Sequence, residues 1–216
     1  MIVGFIGNDG SGKSTTLREV TRKLSEQGIP FEIIPGFQHL FVERIKSLYQ
    51  FLFRKDVKAL HREYASTKPK RNPLFFLWPF LIYLDCWGLY LVALWKSRNR
   101  VVFFDRYPYD YLISFEELGV SSMPVRKLFL WFPKPNALFL FDASPEIAYE
   151  RKKHDHAADL PHYERQRERY LALAKAKDIP VINTDSDPKE VTAEKVLKEL
   201  RRSQLTFQLS GQDQTL

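Results

Sequence analysis

Gly7, Gly12, Lys13 and Ser14 stand in the spacing G-x-x-x-x-G-K-[ST], inside the run GNDGSGKST from Gly7 to Thr15. These residue types suit the binding of a polyphosphate. Glycines let the backbone bend tightly, so that several N–H groups converge on one anion. A helix opening near Lys13 adds its positive end. Lys13 is then placed to meet the β- and γ-phosphates of a nucleoside triphosphate, and the Ser14 hydroxyl to take Mg²⁺. The expected nucleotide contacts are Gly7, Asn8, Gly10, Ser11, Gly12, Lys13, Ser14 and Thr15.

A second constellation follows a hundred residues later. Asp105 closes the apolar run VVFF and opens DRYPYD. A carboxylate at the end of a buried strand needs a partner. In a phosphate-loop protein it holds Mg²⁺, directly or through water, or polarises the attacking hydroxyl. Asp105 and Ser14 are therefore the candidate metal residues. Arg106 can grip a phosphate through two N–H groups, which a lysine cannot do. Tyr107, Tyr109 and Tyr111 either line a pocket for a flat ring or pack at the sheet edge. From Glu150 to Tyr170 the chain reads ERKKHDHAADLPHYERQRERY, two charged helical pieces broken near Leu160-Pro161. Its arginines, Arg151 among them, suit either a mobile flap closing over transferring phosphates or a solvated helix pair. His154 and His156 would point apart on a helix and no thiolate accompanies them, so a structural metal is not expected there.

These residues need a scaffold. IVGFI (2–6), FEII (31–34), VVFF (101–104), ALFLF (137–141) and PVIN (180–183) read as five short buried strands separated by helical stretches. That alternation predicts an α/β fold: a mostly parallel five-stranded sheet with helices on both faces, and ligands at the carboxyl ends of the strands, where Asp105 and Asp142 fall. TLREVTRKLSEQG reads as the first helix, closed by Gly28. Ser144-Pro145 marks another helix start, as does Asp187-Pro188-Lys189-Glu190, read with proline at the first helical position.

The 216 residues suffice for one large domain or two small ones. One cysteine, Cys86, excludes an internal disulfide. The N-terminus reads directly as the first strand, so a secretory segment is not expected and a reducing, cytoplasmic setting is. The net charge of +7 is carried by the stretch from Arg44 to Arg71, where nine basic residues face only Asp56 and Glu63. Such a patch either attracts an anionic partner, such as a phosphorylated small molecule, or is a solvated surface. Nothing resembles a nucleic-acid recognition motif, and nucleic acid is not an expected partner. LFFLWPFLIYLDCWGLYLVALW, 74–95, has the length of a membrane span, but Asp85, Pro79 and Gly88 interrupt it. It reads as one or two buried helices with surplus apolar surface for a subunit interface. Membrane contact is the competing reading.

Five blocks of the chain resemble the thymidylate kinase family of nucleoside monophosphate kinases. GNDGSGKST is similar to that family's phosphate loop, which also carries an aspartate where Asp9 stands. DRY at 105–107 resembles its second signature. PEIAYERK, from Pro145, resembles the start of its lid. YERQRERYLALA, 163–174, is similar to the helix after the lid, and IPVINTDSDPKEV to the final strand and turn. The resemblance implies a P-loop kinase fold with a lid over about 150–162, within a domain spanning 1–203. A basic acceptor-side insertion would cover about 37–73, an apolar helical region about 74–96, and a polar tail 204–216.

It further implies ATP with Mg²⁺, Asp9 against the acceptor's ribose hydroxyl, and Arg106 near the acceptor phosphate. Arg151 would be the lid arginine, with Thr184 and Asp185 near adenine. The 74–95 region would form a homodimer contact. Lys13, Asp9, Asp105, Arg106 and Arg151 are thus the expected catalytic set.

The chain also departs from the family pattern. Ile6 stands where a glutamate is common, IIPGFQH lacks the arginine-bearing turn, and Asp85 is followed by Cys86 rather than arginine. The expected activity is phosphoryl transfer to a nucleoside monophosphate, thymidylate first. A kinase of another small acceptor and a non-catalytic nucleotide-binding module are the alternatives.

Overall fold

The computed structural model describes residues 1–36, 73–117, 119, 121–152 and 159–212, with side chains from Trp78 onward in the second helix and up to Arg202 in the last. The basic stretch 44–71, His154 and His156 of the expected lid, and the last four residues lie outside that description.

Five parallel strands, β1 (Ile2–Ile6), β2 (Phe31–Ile34), β3 (Val101–Asp105), β4 (Ala137–Asp142) and β5 (Val181–Asn183), form one sheet in the order β2-β3-β1-β4-β5. The described helices are α1 (Lys13–Glu26), α2 (Pro73–Lys96), α3 (Pro108–Glu117), α4 (Met123–Leu130), α5 (Pro145–Lys152), α6 (Leu160–Lys177) and α7 (Lys189–Gln212). The expected α/β architecture is present. The fifth strand begins one residue later than the sequence suggests. The last helix opens at Lys189 after Pro188, whose carbonyl accepts the first helical N–H, from Thr192. That helix continues past Ser203 to Gln212.

The two faces of the sheet explain why β1 is apolar without alternation. Ile2 and Ile6 pack into a core with Val102, Phe104 and side chains of α2, α3, α4 and α6. Val3 and Phe5 pack into a second core with Phe103, Phe139, α1 and α7. All five residues of β1 are buried, as a strand covered on both faces requires. Helix α1 ends at Gly28, φ +68, where Gly28 N–H donates to Ser25 O and Ile29 N–H to Leu24 O. This paired closure needs a left-handed residue, which glycine adopts without a Cβ penalty.

The apolar 73–96 segment is a single helix that carries Pro79 internally. Ile82, Asp85, Cys86 and Ala93 are buried, while Leu84, Leu91, Val92, Leu94 and Trp95 are exposed. The helix is therefore half core and half open apolar face. Over Trp78–Lys96 it is long and apolar enough to cross a membrane by length and composition. Asp85 is buried, and Tyr83 and Trp87 pack on Phe129 and Phe132 within the core that covers this face of the sheet.

Candidate active site

The parallel register decides which residues meet. Phe5 pairs with Asp105 and Ile6 with Leu140, so the loop leaving central β1 emerges level with the ends of β3 and β4. Gly7, at φ +139, starts the loop; a Cβ there would stand 2.3 Å from the Phe141 carbonyl. Only glycine permits that approach. The result is a cleft of about 660 Å³ lined by Asp9, Gly10, Gly12, Lys13, Ser14, Thr15, Asp105, Arg106, Arg151 and Thr184, with Pro35, Gly36 and Lys152 among its other walls.

Most of the sequence-derived residues thus converge on one cleft. Lys13 is buried, and its ammonium donates to Gly7 O (2.6 Å), Asn8 O (2.5 Å) and Ser11 Oγ (3.2 Å). Burial, with the Arg106 charge nearby, brings its pKa down to about 8, although Asp110, Asp9 and Asp105 pull the other way. Ser14 Oγ donates to Asp105 Oδ2 at 3.0 Å. A hydroxyl and a carboxylate oxygen side by side at the mouth of a phosphate loop are hard donors of the kind Mg²⁺ prefers, so this pair fits the expected ion. Asn8 is buried and its side-chain amide donates to Tyr163 O, which ties the loop to α6.

Arg151 stands at the rim. Its guanidinium donates to Gly10 O (3.1 Å), Thr184 Oγ1 (3.2 Å) and Thr184 O (2.8 Å), bridging the phosphate loop to the turn after β5. Thr184 Oγ1 also reaches Ser11 O at 3.0 Å. Asp185 is turned away: its carboxylate accepts the Ser144 N–H at 2.8 Å and fixes the start of α5. Helix α6 sends Arg167 to Asp142 through two bonds of 2.8 Å. This guanidinium is committed to the end of β4.

On the other wall, Arg106 leaves β3 at φ +99, and its N–H donates to Phe5 O at 3.1 Å. Its guanidinium pairs with exposed Asp9 and with buried Asp110. The two carboxylates hold the guanidinium charged against the opposing effect of burial. Gly36 permits the arginine stem to pass: a Cβ there would meet Asp105 O at 2.2 Å and the Arg106 stem at 2.9 Å. Tyr107, Tyr109 and Tyr111 are all buried in the core and absent from the lining of the cleft. Tyr107 and Tyr111 thus pack in the core, while Tyr109 also lines a second cavity away from the cleft.

Asp110, Tyr170 and Gly36 escaped the sequence reading. The available signal was a second carboxylate closing the run DRYPYD that Asp105 opens, and the tyrosine that closes ERQRERY. A second cavity of about 210 Å³ opens at the opposite, amino end of β4 and β5, lined by Lys134, Lys177 and Glu199 among others. None of the catalytic candidates reaches it.

No protein-family model matches the chain. Curated relatives do. The chain is 26% identical over 201 residues to the "Probable thymidylate kinase" of Sulfolobus acidocaldarius, covering 89% of this chain and 93% of that protein. It is 24% identical over 196 residues to the "Probable thymidylate kinase 1" of Saccharolobus solfataricus, covering 88% and 92%. Over nearly its whole length the chain is similar to proteins named as probable thymidylate kinases, and this likeness supports a phosphotransferase. A solved deoxyadenosine kinase from M. mycoides, bound to dCMP and dCDP, superposes with a TM-score of 0.58 over 94% of this chain and all of that one. At 16% identity that likeness concerns the fold, and it is the P-loop kinase fold. In this kinase-like chain the loop, Asp105 and Arg106 lie together in the crevice outside the carboxyl ends of the strands, where open parallel sheets bind ligands.

Proposed function

We propose that the protein transfers the γ-phosphoryl group of ATP to a nucleoside monophosphate, with thymidylate as the first candidate. The observation that carries this reading is the pairing of two sites in one cleft. Lys13 with Ser14–Asp105 forms a triphosphate end. Arg106 with Asp9 forms an acceptor end on the adjacent wall. The names of the curated relatives support the same substrate.

Each group has a task in that reaction. The loop amides and the Lys13 ammonium take up the charge of the β- and γ-phosphates. Ser14 and Asp105 hold Mg²⁺, which when bound neutralises charge on the phosphate oxygens. Arg106 orients the acceptor phosphate, and Asp9, released from Arg106, accepts the sugar hydroxyl. Arg151, carried on α5, places its charge on the phosphates when the lid closes, and Thr184 borders the base. Closure excludes water and so favours transfer over hydrolysis.

The exposed apolar face of α2, with Leu84, Leu91 and Trp95, serves a twofold homodimer in a cytoplasmic enzyme. Among the described residues after β2, Pro35 and Gly36 line the cleft, and no arginine stands in the run IIPGFQH. That departure in sequence favours testing other acceptors as well. A panel of nucleoside monophosphates, nucleosides and phosphate esters, each with ATP and Mg²⁺, decides the matter. Thymidylate or another nucleoside monophosphate as best acceptor supports the proposal. Preference for an unphosphorylated nucleoside, or no transfer to any acceptor, overturns it.

A further inference from the structure

Asp110 is fully buried at the third position of α3. Its Oδ2 accepts the Tyr107 N–H at 3.0 Å while its own N–H donates to Tyr107 O at 2.8 Å. That reciprocal pair closes the start of the helix. Capping needs only one carboxylate oxygen. The other, Oδ1, accepts the Tyr170 hydroxyl at 2.7 Å, the Gly7 N–H at 3.3 Å and Arg106 Nη1 at 3.4 Å. These donors come from α6, the phosphate loop and the end of β3.

Burying a carboxylate is costly without such partners. Here burial raises its pKa, and Arg106, Lys13, Tyr170 and the Gly7 amide work against that rise.

Arg106 lies between two unlike carboxylates. Asp9 is exposed and can give up the guanidinium to an incoming phosphate. Asp110 is fixed from four directions. We propose that Asp110 is a positioning residue that holds the Arg106 fork for the acceptor phosphate while Asp9 exchanges, with Tyr170 and the Gly7 amide as its anchors. The proposal rests on the kinase reading above. It accounts for a left-handed arginine, φ +99, at the end of β3: such a conformation persists only where its surroundings over-determine it.

The test is steady-state kinetics of the full chain with ATP, Mg²⁺ and thymidine monophosphate, or the best acceptor found. Asp110→Asn keeps the volume but loses the charge. It is expected to lower kcat/KM for the acceptor by roughly 10- to 100-fold, with KM for ATP moving by less than about 3-fold. Combined with Arg106→Lys it is expected to add little to the loss caused by Arg106→Lys alone, since both remove the same contact. Tyr170→Phe leaves the carboxylate in place and is expected to act in the same direction by about 3- to 10-fold.

Unchanged acceptor kinetics in Asp110→Asn, or losses that multiply in the double variant, overturn the positioning role. If Asp110→Asn does not fold, Tyr170→Phe decides alone, and wild-type acceptor kinetics there overturn the role. A wild-type protein that phosphorylates no acceptor overturns the kinase reading itself, and this proposal with it.

Discussion

The two walls of the cleft are built in different ways. The proposed triphosphate wall is nearly contiguous in sequence: Gly7 to Thr15 supply most of it, and much of its chemistry would be backbone. The proposed acceptor wall is assembled from Asp9, Gly36, Arg106, Asp110 and Tyr170, which lie on four separate stretches. Its chemistry is side-chain charge held by other side chains. A backbone site depends on local dihedral angles and tolerates change around it. A side-chain site depends on every element that fixes a rotamer. Substitutions on the first wall are therefore expected to hit turnover directly. Those on the second are expected to reveal coupling.

The largest effect belongs to Lys13. Removing its charge in Lys13→Ala is expected to cut turnover by about 10² to 10⁴, or roughly 3 to 5.5 kcal/mol of barrier, with the fold retained. A wild-type turnover number at saturating ATP would remove the loop from the chemistry and with it the contrast between the walls.

Arg106→Lys keeps the charge and loses the fork. Its expected loss is about 10- to 100-fold in kcat/KM for the acceptor, with ATP kinetics less affected. If both substrates suffer equally, the walls are not separable in the way described above.

The pH dependence sharpens the same division. Lys13 sheds its proton as pH rises through about 8, well below the ordinary value of 10.5, because it is buried and Arg106 is near. The profile of kcat/KM for ATP is expected to fall above about pH 8. The corresponding limb in kcat should lie higher, since bound phosphate favours the ammonium. The unfolded chain holds this proton up to about 10.5, so between about 8 and 10.5 it binds more protons than the native state. The Lys13 contribution to stability therefore grows as pH rises through that window. An ATP profile flat to pH 10 would contradict the assignment.

The smallest effect on catalysis is expected far from both walls. Leu91→Glu on the open face of α2 should convert the proposed dimer to monomer in sedimentation analysis while changing kcat by less than about 3-fold. A wild-type protein that already sediments as a monomer, or is recovered only with membranes, would sink the interface.

Gly7 to Thr15 could be read in advance because spacing along the chain is spacing in the loop. Asp105 was legible as a charge ending an apolar run, and Arg106 by its place beside it. The strands were legible because both faces of the sheet are covered and the runs are simply apolar. The half-open state of α2 was less so. A helix that is apolar all round carries no record of which side meets the core, and contact with Phe129 and Phe132 decided it. Asp185 looked like a base contact by its place in the final turn. Only the fold showed its carboxylate committed to the Ser144 amide.

By itself the sequence determined the parallel α/β class, the phosphate loop with Lys13 and Ser14, and a carboxylate and arginine at the end of the third strand. These follow from local rules of periodicity, backbone freedom and charge beside apolar runs, which act over a few residues. Tertiary structure alone decided that Asp110 and Tyr170 belong to the arginine, that Gly36 makes room for its stem, and that Arg167 closes on Asp142. The physical reason is register. Pairing Phe5 with Asp105 places the ends of distant strands at one level. Which side chains then fall within hydrogen-bond reach depends on angles and distances that no spacing along the chain records.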